Sequence, residues 1–213
     1  MSKKLLSSLA YKAIKERIAS MPSGSYLSAR QCALELGISY TPVREAFLQL
    51  QKEGVLRQVP NVGFFIQNID LTDLFQIFQV RECVELFALE KAFDKLSGPH
   101  IADMKKTCAQ AADALREDDS YRYSKYDAEF HRIPLEILGN KPLLSLYDDI
   151  RAKYLIVSGQ MLPLIDDMIQ DEHLALIDAV EQRDEQRAKE LLLRHIQEMK
   201  QRIINNYIRD QLR

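Results

Sequence analysis

Residues 27–56 read LSARQCALELGISYTPVREAFLQLQKEGVL, and their spacing predicts two helices joined by a tight turn. Ser28 and Gln31 fit a capping box, a hydroxyl taking the N3 backbone N–H and a side chain returning to the cap. Ala33, Leu34 and Leu36 supply a short apolar face, and Gly37 suits the left-handed residue that ends a helix. Thr41 is a candidate cap for the second helix, with Pro42 at the first helical position, where no N–H is needed. Val43, Ala46, Phe47 and Leu50 then recur at helical spacing, and Gly54 closes the helix. Thr41, Arg44 and Glu45 are left near its outward N-terminal end, the part of a recognition helix that meets base edges. An ordinary helical hairpin has the same periodicity. The residues just beyond favour DNA: Val55–Val59 and Val62–Ile66 are short β-favouring runs flanking Pro60-Asn61, with Gly63 beside the turn, and predict a two-stranded wing.

Charge points the same way. The 213-residue chain has a net charge of only −2, which says nothing about nucleic acid. Residues 1–69, however, carry nine Lys/Arg against four Asp/Glu, or +5, and residues 70–213 carry twenty against twenty-seven, or −7. A basic front and an acidic rear fit a DNA-reading head, residues 1–69, on a sensing or oligomerising body, residues 70–213; chance asymmetry on solvated faces is the other reading, since +5 is modest. Hydrophobic residues at 46% and charged residues at 28% suit a globular protein rather than a disordered one. Cys32, Cys83 and Cys108 are odd in number and lack a CxxC pair, so they read as buried thiols in a reducing cytoplasm. The opening MSKKLLSSLA has too short an apolar run for a signal peptide, and no run is long enough to span a membrane.

Ahead of the helical pair, Leu9, Ala10, Ala13, Ile14 and Ile18 predict a helix ended by Met21-Pro22-Ser23-Gly24. After the wing the chain reads as helix throughout. Asp70 or Thr72 starts a helix to about Leu96, a second covers roughly Pro99–Glu117, and a third Ser120–Leu138, with Pro134 bending it. Others follow over about Pro142–Gln160 and Leu164–Arg183, and from Asp184 to the tail. Six helices on short connections predict a compact antiparallel all-α bundle, so the fold class is mainly α: a winged helix-turn-helix followed by a helical bundle.

All four histidines fall on this body, and three of them lie on or beside its apolar helix faces. Asp127 and His131 are four apart and share a helix face. His173 sits beside the apolar stripe that includes Leu174, Leu176 and Ile177, and His195 lies among Leu191, Leu192, Ile196 and Met199. A bundle burying these stripes draws three imidazoles and a carboxylate towards one interior, a donor set suited to Zn, Ni, Co or Mn. Hydrogen-bonded interior histidines without a metal are the other reading. Arg81 and Glu85 interrupt the stripe Leu74, Phe78, Ala88, which is either a structural i, i+4 salt bridge or part of a binding site. Tyr121, Tyr123, Tyr126 and Phe130 read as packing, and His100, one residue after a helix-starting proline, as a surface residue.

The head resembles the winged-helix domain of the GntR family of bacterial transcription regulators. The resemblance rests on Leu27-Ser28-Ala29-Arg30, Leu36-Gly37-Ile38-Ser39, Thr41-Pro42-Val43-Arg44-Glu45-Ala46, Gly54 and Gly63. The family usually has an acidic residue where Ala29 stands and an operator-contacting arginine where Tyr40 stands, so a different operator sequence is expected. The body is similar to the FCD effector domain of one GntR subfamily, through Asp127-x-x-Phe130-His131, Glu172-His173 and His195-Ile196. That resemblance implies one divalent metal ion (Zn, Ni or Mn) on Asp127, His131, His173 and His195. It matches Arg81-Glu82-Cys83-Val84-Glu85 to a helix whose arginine often faces the effector pocket, with Arg151 a further candidate; a guanidinium there would hold a carboxylate by paired hydrogen bonds.

Together these readings predict a cytoplasmic, homodimeric transcription regulator that binds a near-palindromic double-stranded operator and responds to a small carboxylate effector. Arg30, Tyr40, Thr41, Arg44, Asn61 and Gly63 are the expected DNA contacts. A metal-dependent hydrolase using the Asp/His cluster is the rival from another class, but the chain lacks HExxH and a Ser or Cys nucleophile motif. A purely structural oligomer is the third possibility.

Overall fold

The computed structural model describes residues 3–68, 70–158 and 167–211. The chain divides into two compact units, Met1–Ile69 with Ala152–Gln160, and Asp70–Arg151 with Met161–Arg213.

In the first unit, α1 (Lys3–Ala19) precedes a two-residue strand β1 (Tyr26–Leu27), α2 (Ala29–Glu35), α3 (Tyr40–Lys52), β2 (Leu56–Val59) and β3 (Gly63–Ile66). The helical pair and the wing are as expected, whereas β1 is too short to leave a periodic signal. It pairs antiparallel with β3, giving a sheet of order β1-β3-β2. Ile14, Ile18, Leu27, Val43, Phe47, Leu50, Leu56, Phe64 and Ile66 form the core, where fully burying each large apolar side chain contributes roughly 1.5–3 kcal/mol.

Several local expectations are corrected. Ser28 does cap α2, accepting from the Gln31 N–H at 3.3 Å. The Gln31 carboxamide does not return to the cap; it donates to Glu35 at 3.0 Å, one turn on. The buried face of α2 is Ala29, Cys32 and Ala33, while Leu34 is 77% exposed, because three positions at i, i+3 and i+4 already fill the side towards α3. Ser39 rather than Thr41 is the N-cap of α3, and its side chain makes no capping bond. Pro42 still falls in the first turn, where its missing N–H has no intrahelical partner to lose. Gly54, at φ +74°, adopts the left-handed conformation that ends the helix.

The second unit holds α4 (Leu71–Ala92), a 3₁₀ turn over Phe93–Lys95, α5 (Gly98–Arg116), α6 (Ser120–Leu138), α7 (Lys141–Ser158), α8 (Asp167–Glu181) and α9 (Glu185–Gln211). Residues 152 onward of α7 group with the first unit. The expected ends at Gln160 and Leu164 lie outside the described residues. Local chemistry sets the starts. Asp70 and Asp73 cap α4 reciprocally, at 2.8 and 3.2 Å. Asp119 caps α6 through Arg122 N–H, and Asn140 serves α7 through Leu143 N–H. His100 is half-buried and accepts the Ser97 N–H on Nδ1 at 3.1 Å, so it belongs to the start of α5 rather than simply to the surface. α4 packs on α6 and α9, α5 on α6 and α8, and α8 on α9. Cys32 and Cys108 are buried as expected, but Cys83 is exposed, because it lies between Arg81 and Val84 on the outward side of α4. Among the described residues no helix is long and apolar enough to cross a membrane.

Candidate metal centre and candidate nucleic-acid interface

One buried polar cluster draws on five helices of the second unit. Asp127 and His131 stand one turn apart on α6, with His173 on α8 and His195 on α9, each no more than 5% exposed. One ligand atom from each lies within 4.8 Å of those from the others. His131 Nε2 is 3.2 Å from both His173 Nε2 and His195 Nε2. Asp127 Oδ1 lies 3.6 Å from His131 Nε2 and 3.5 Å from His173 Nε2. Neighbouring donors at the usual metal–nitrogen and metal–oxygen distances stand about 3.0–3.4 Å apart, so these separations are the size of a coordination shell.

The outer partners settle which nitrogen faces inward. Glu172 Oε2 is 2.8 Å from His195 Nδ1, and Glu85 Oε2 is 3.1 Å from His131 Nδ1. An ionised carboxylate only accepts, so each Nδ1 carries a proton, and in the neutral ring Nε2 then presents a lone pair. Two unprotonated nitrogens at 3.2 Å repel one another, and either a shared proton or a metal cation between them relieves this. The donor set therefore fits a divalent metal ion.

Each of the three carboxylates, the outer pair and Asp127, is itself held by a guanidinium. Arg81 Nε donates to Glu85 Oε1 at 2.7 Å, Arg202 Nη2 to Glu172 Oε1 at 2.7 Å, and Arg151, on α7, to Asp127 Oδ2. Burial alone would raise the carboxyl of Asp127, but Arg151, His131 and His173 outweigh it and hold the group well below its ordinary value. Burial likewise opposes ionisation of Glu85, and Arg81 with His131 reverses it. Burial, and then the other imidazoles, keep His173 and His195 well below the ordinary histidine value. Both are neutral at pH 7, as metal ligands must be.

The structure thus brings together Asp127, His131, His173 and His195, with Arg81 and Arg151 around them. Arg81 donates to Glu85 from Nε at 2.7 Å and from Nη2 at 3.4 Å. Two contributors escaped the sequence reading. Glu172 was visible only as an acidic neighbour of His173, and its role depends on where α9 places His195. Arg202, on the last helix, gave no signal beyond helical spacing to Glu198, to which it also donates at 3.2 Å. Phe130 packs against the cluster, its ring 4.4 Å from that of His173.

The head is a separate surface. Arg30, Tyr40, Thr41 and Arg44 are all exposed, on the start of α2 and the first two turns of α3. Arg44 Nη1 donates to the Tyr40 hydroxyl at 3.3 Å, so the two act as one polar group on the outer face of α3. At the wing tip Asn61 adopts φ +62°, one of the few non-glycine types that tolerates it. Gly63, at φ +147°, leaves no room for a side chain: a Cβ would lie 2.6 Å from the Tyr26 ring. Asn61 is exposed and Gly63 half-buried, so Asn61 is the tip residue offered to solvent, and Gly63 shapes the turn behind it.

A family model described as "FCD domain" matches residues 76–198, and one described as "Bacterial regulatory proteins, gntR family" matches residues 6–66. The chain is similar to the Nta operon transcriptional regulator of Aminobacter aminovorans, with 27% identity over 184 residues, covering 82% of each chain. Among solved structures, E. coli McbR/YncC superposes with a TM-score of 0.84 at 19% identity, covering 95% of this chain and 98% of that one. A structure described as the metal-free FCD domain of TM0439 superposes with a TM-score of 0.56 at 22% identity, covering 66% of this chain and 98% of that one.

Proposed function

The chain belongs to the GntR family of bacterial regulatory proteins and carries its FCD domain; from that premise we propose that a small anionic effector, a carboxylate, modulates operator binding at a divalent metal ion held by Asp127, His131, His173 and His195. The protein is a DNA-binding transcriptional regulator rather than an enzyme, and the hydrolase reading is set aside, since the relatives are regulators. The metal is Zn, Ni or Mn.

The observation that carries the proposal is the convergence of one ligand atom each from Asp127, His131, His173 and His195 on a common point, with paired charges around it. Asp127, Glu85 and Glu172 are matched by Arg151, Arg81 and Arg202. A divalent cation would bring two further positive charges into a buried site, and an anion among its remaining ligands would offset them. The cation supplies coordination positions for the effector's oxygens. Arg81 and Arg151, each committed to a carboxylate of the protein, act on the effector through their charge.

Arg30, Tyr40, Thr41, Arg44 and Asn61 make the DNA contacts, with Gly63 holding the wing turn, on each head of a homodimer bound to a near-palindromic site. Signalling runs along the chain: α4 carries Arg81 and Glu85, and its first residue, Leu71, follows the last strand of the wing by five positions. For the effector to act as a switch, it must bind two arrangements of the protein with different affinity, since equal affinity shifts nothing.

Metal analysis of untagged protein, with operator gel shifts before and after chelation, tests this reading. His173→Ala combined with His195→Ala should remove the metal and the effector response, and leave basal operator affinity within several-fold. Stoichiometric metal in that double variant, or an unchanged effector response in chelated wild-type protein, would overturn it.

A further inference from the structure

Around the four candidate ligands stand two hydrogen-bond chains of the same design, one on each flank: Arg81–Glu85–His131 and Arg202–Glu172–His195. The first begins on α4 and ends on α6. The second stays between α8 and α9. Each ends on the Nδ1 of a histidine whose Nε2 faces the cluster.

We infer that Glu172, anchored by Arg202, is a positioning residue that sets the tautomer and ring orientation of His195, and that Glu85, anchored by Arg81, does the same for His131. The inference rests on the metal site proposed above. The physical reason lies in the choice a neutral imidazole has. Its proton sits on Nδ1 or Nε2, and only the Nδ1–H form offers a lone pair from Nε2. A carboxylate 2.8 Å from Nδ1 selects that form for His195, and one at 3.1 Å selects it for His131. It also makes Nε2 a stronger donor by drawing the Nδ1 proton outward.

The guanidiniums have a part as well. A glutamate side chain has three rotatable bonds, and a nearly buried carboxylate without a partner turns towards water or takes up a proton. Arg202 occupies Oε1 of Glu172 and leaves Oε2 for the imidazole. Arg81 spans both oxygens of Glu85, at 2.7 Å to Oε1 and 3.4 Å to Oε2, with Oε2 also towards His131. Both carboxylates are thereby aimed at the imidazoles.

The test compares wild type, Glu172→Ala, Glu172→Gln and a control, Glu190→Gln, by competition titration with Co²⁺ and by long-range ¹H–¹⁵N spectra of the imidazoles in metal-free protein. Glu190 lies on the same helix as His195 but is exposed, and its carboxylate accepts from Gln186 at 2.8 Å. Wild type should bind one Co²⁺ and show His195 protonated on Nδ1. Glu172→Ala should bind Co²⁺ about 10–100-fold more weakly and show His195 as a tautomer mixture. Glu172→Gln, whose amide oxygen still accepts from Nδ1–H but carries no charge, should fall between, and Glu190→Gln should stay within twofold of wild type. Unchanged Co²⁺ affinity in Glu172→Ala or, should that variant not fold, in Glu172→Gln overturns the inference while leaving the metal site standing. So does a wild-type His195 protonated on Nε2. Failure of wild type to take up Co²⁺ overturns the metal site itself, and this inference with it.

Discussion

Arg81 grips Glu85 across one turn of α4 by two hydrogen bonds, with both side chains 1% exposed. Glu85 in turn reaches His131 at 3.1 Å, so one buried arginine links the first helix of the body to the candidate metal ligands on α6. Its removal would strand a carboxylate in the interior. Breaking a buried pair by deleting one partner costs about 3–5 kcal/mol. Arg81→Ala should therefore lower the melting temperature and weaken metal uptake together. Arg81→Lys, which keeps the charge but not the paired geometry, should lose less stability. Thermal melts with and without Co²⁺ check this; a stable Arg81→Ala with wild-type metal affinity would count against the linkage.

Operator binding should depend on Arg44 and Arg30. Arg44→Ala should cost about 1–3 kcal/mol if the guanidinium reads a guanine edge. Tyr40→Phe, which removes only the hydroxyl that Arg44 donates to, should cost less. Gel shifts at two salt concentrations separate base reading from phosphate contact, since loss of a phosphate contact also flattens the salt dependence. If Arg30→Ala and Arg44→Ala both bind as wild type does, α3 is not the recognition helix.

The protein should bind its operator as a homodimer, because a single winged head offers too few contacts for strong specificity. Light scattering on free protein and on the operator complex measures this directly. A monomer in both states would be decisive against it.

Metal-free protein should lose stability as pH falls from 7 towards 5. In the unfolded chain His173 and His195 take up protons as pH drops through about 6.5. In the folded chain burial holds both well below that value. The unfolded state then binds more protons, so stability is fully present above about pH 6.5 and declines below it. The decline is up to about 1.4 kcal/mol per pH unit for each imidazole, and it continues until the folded groups protonate. Asp127, also held low, adds its own loss only below about pH 4. Chelated protein melted across this range should show the slope, and His173→Gln with His195→Gln should flatten it. A wild-type melting temperature independent of pH between 5 and 7 would exclude neutral, buried imidazoles.

The helix-turn-helix, the wing and the body helices were legible in the sequence because each depends on neighbours a few residues away. The apolar recurrence Val43, Ala46, Phe47, Leu50 marks one face of α3, glycines at positions 37 and 54 end their helices, and Ser120–Leu138 is a helix between Asp119 and Gly139. Asp127 and His131 share a face for the same local reason. Tertiary structure decided the rest. Leu34 belongs by composition to a core, yet the rotation of α2 against α3 leaves it outside and seats Cys32 and Ala33 instead. Tyr26–Leu27 becomes a strand only because Phe64 and Phe65 lie alongside. The contact of His131 with His173 spans 42 residues and that with His195 spans 64, so periodicity could place them on inward faces but not at 3.2 Å. Which nitrogen each imidazole turns inward depends on Glu85 and Glu172, and those carboxylates are aimed by arginines on α4 and α9. Hydrogen-bond direction is set by atoms that helix packing brings together, and no spacing along a single helix encodes it.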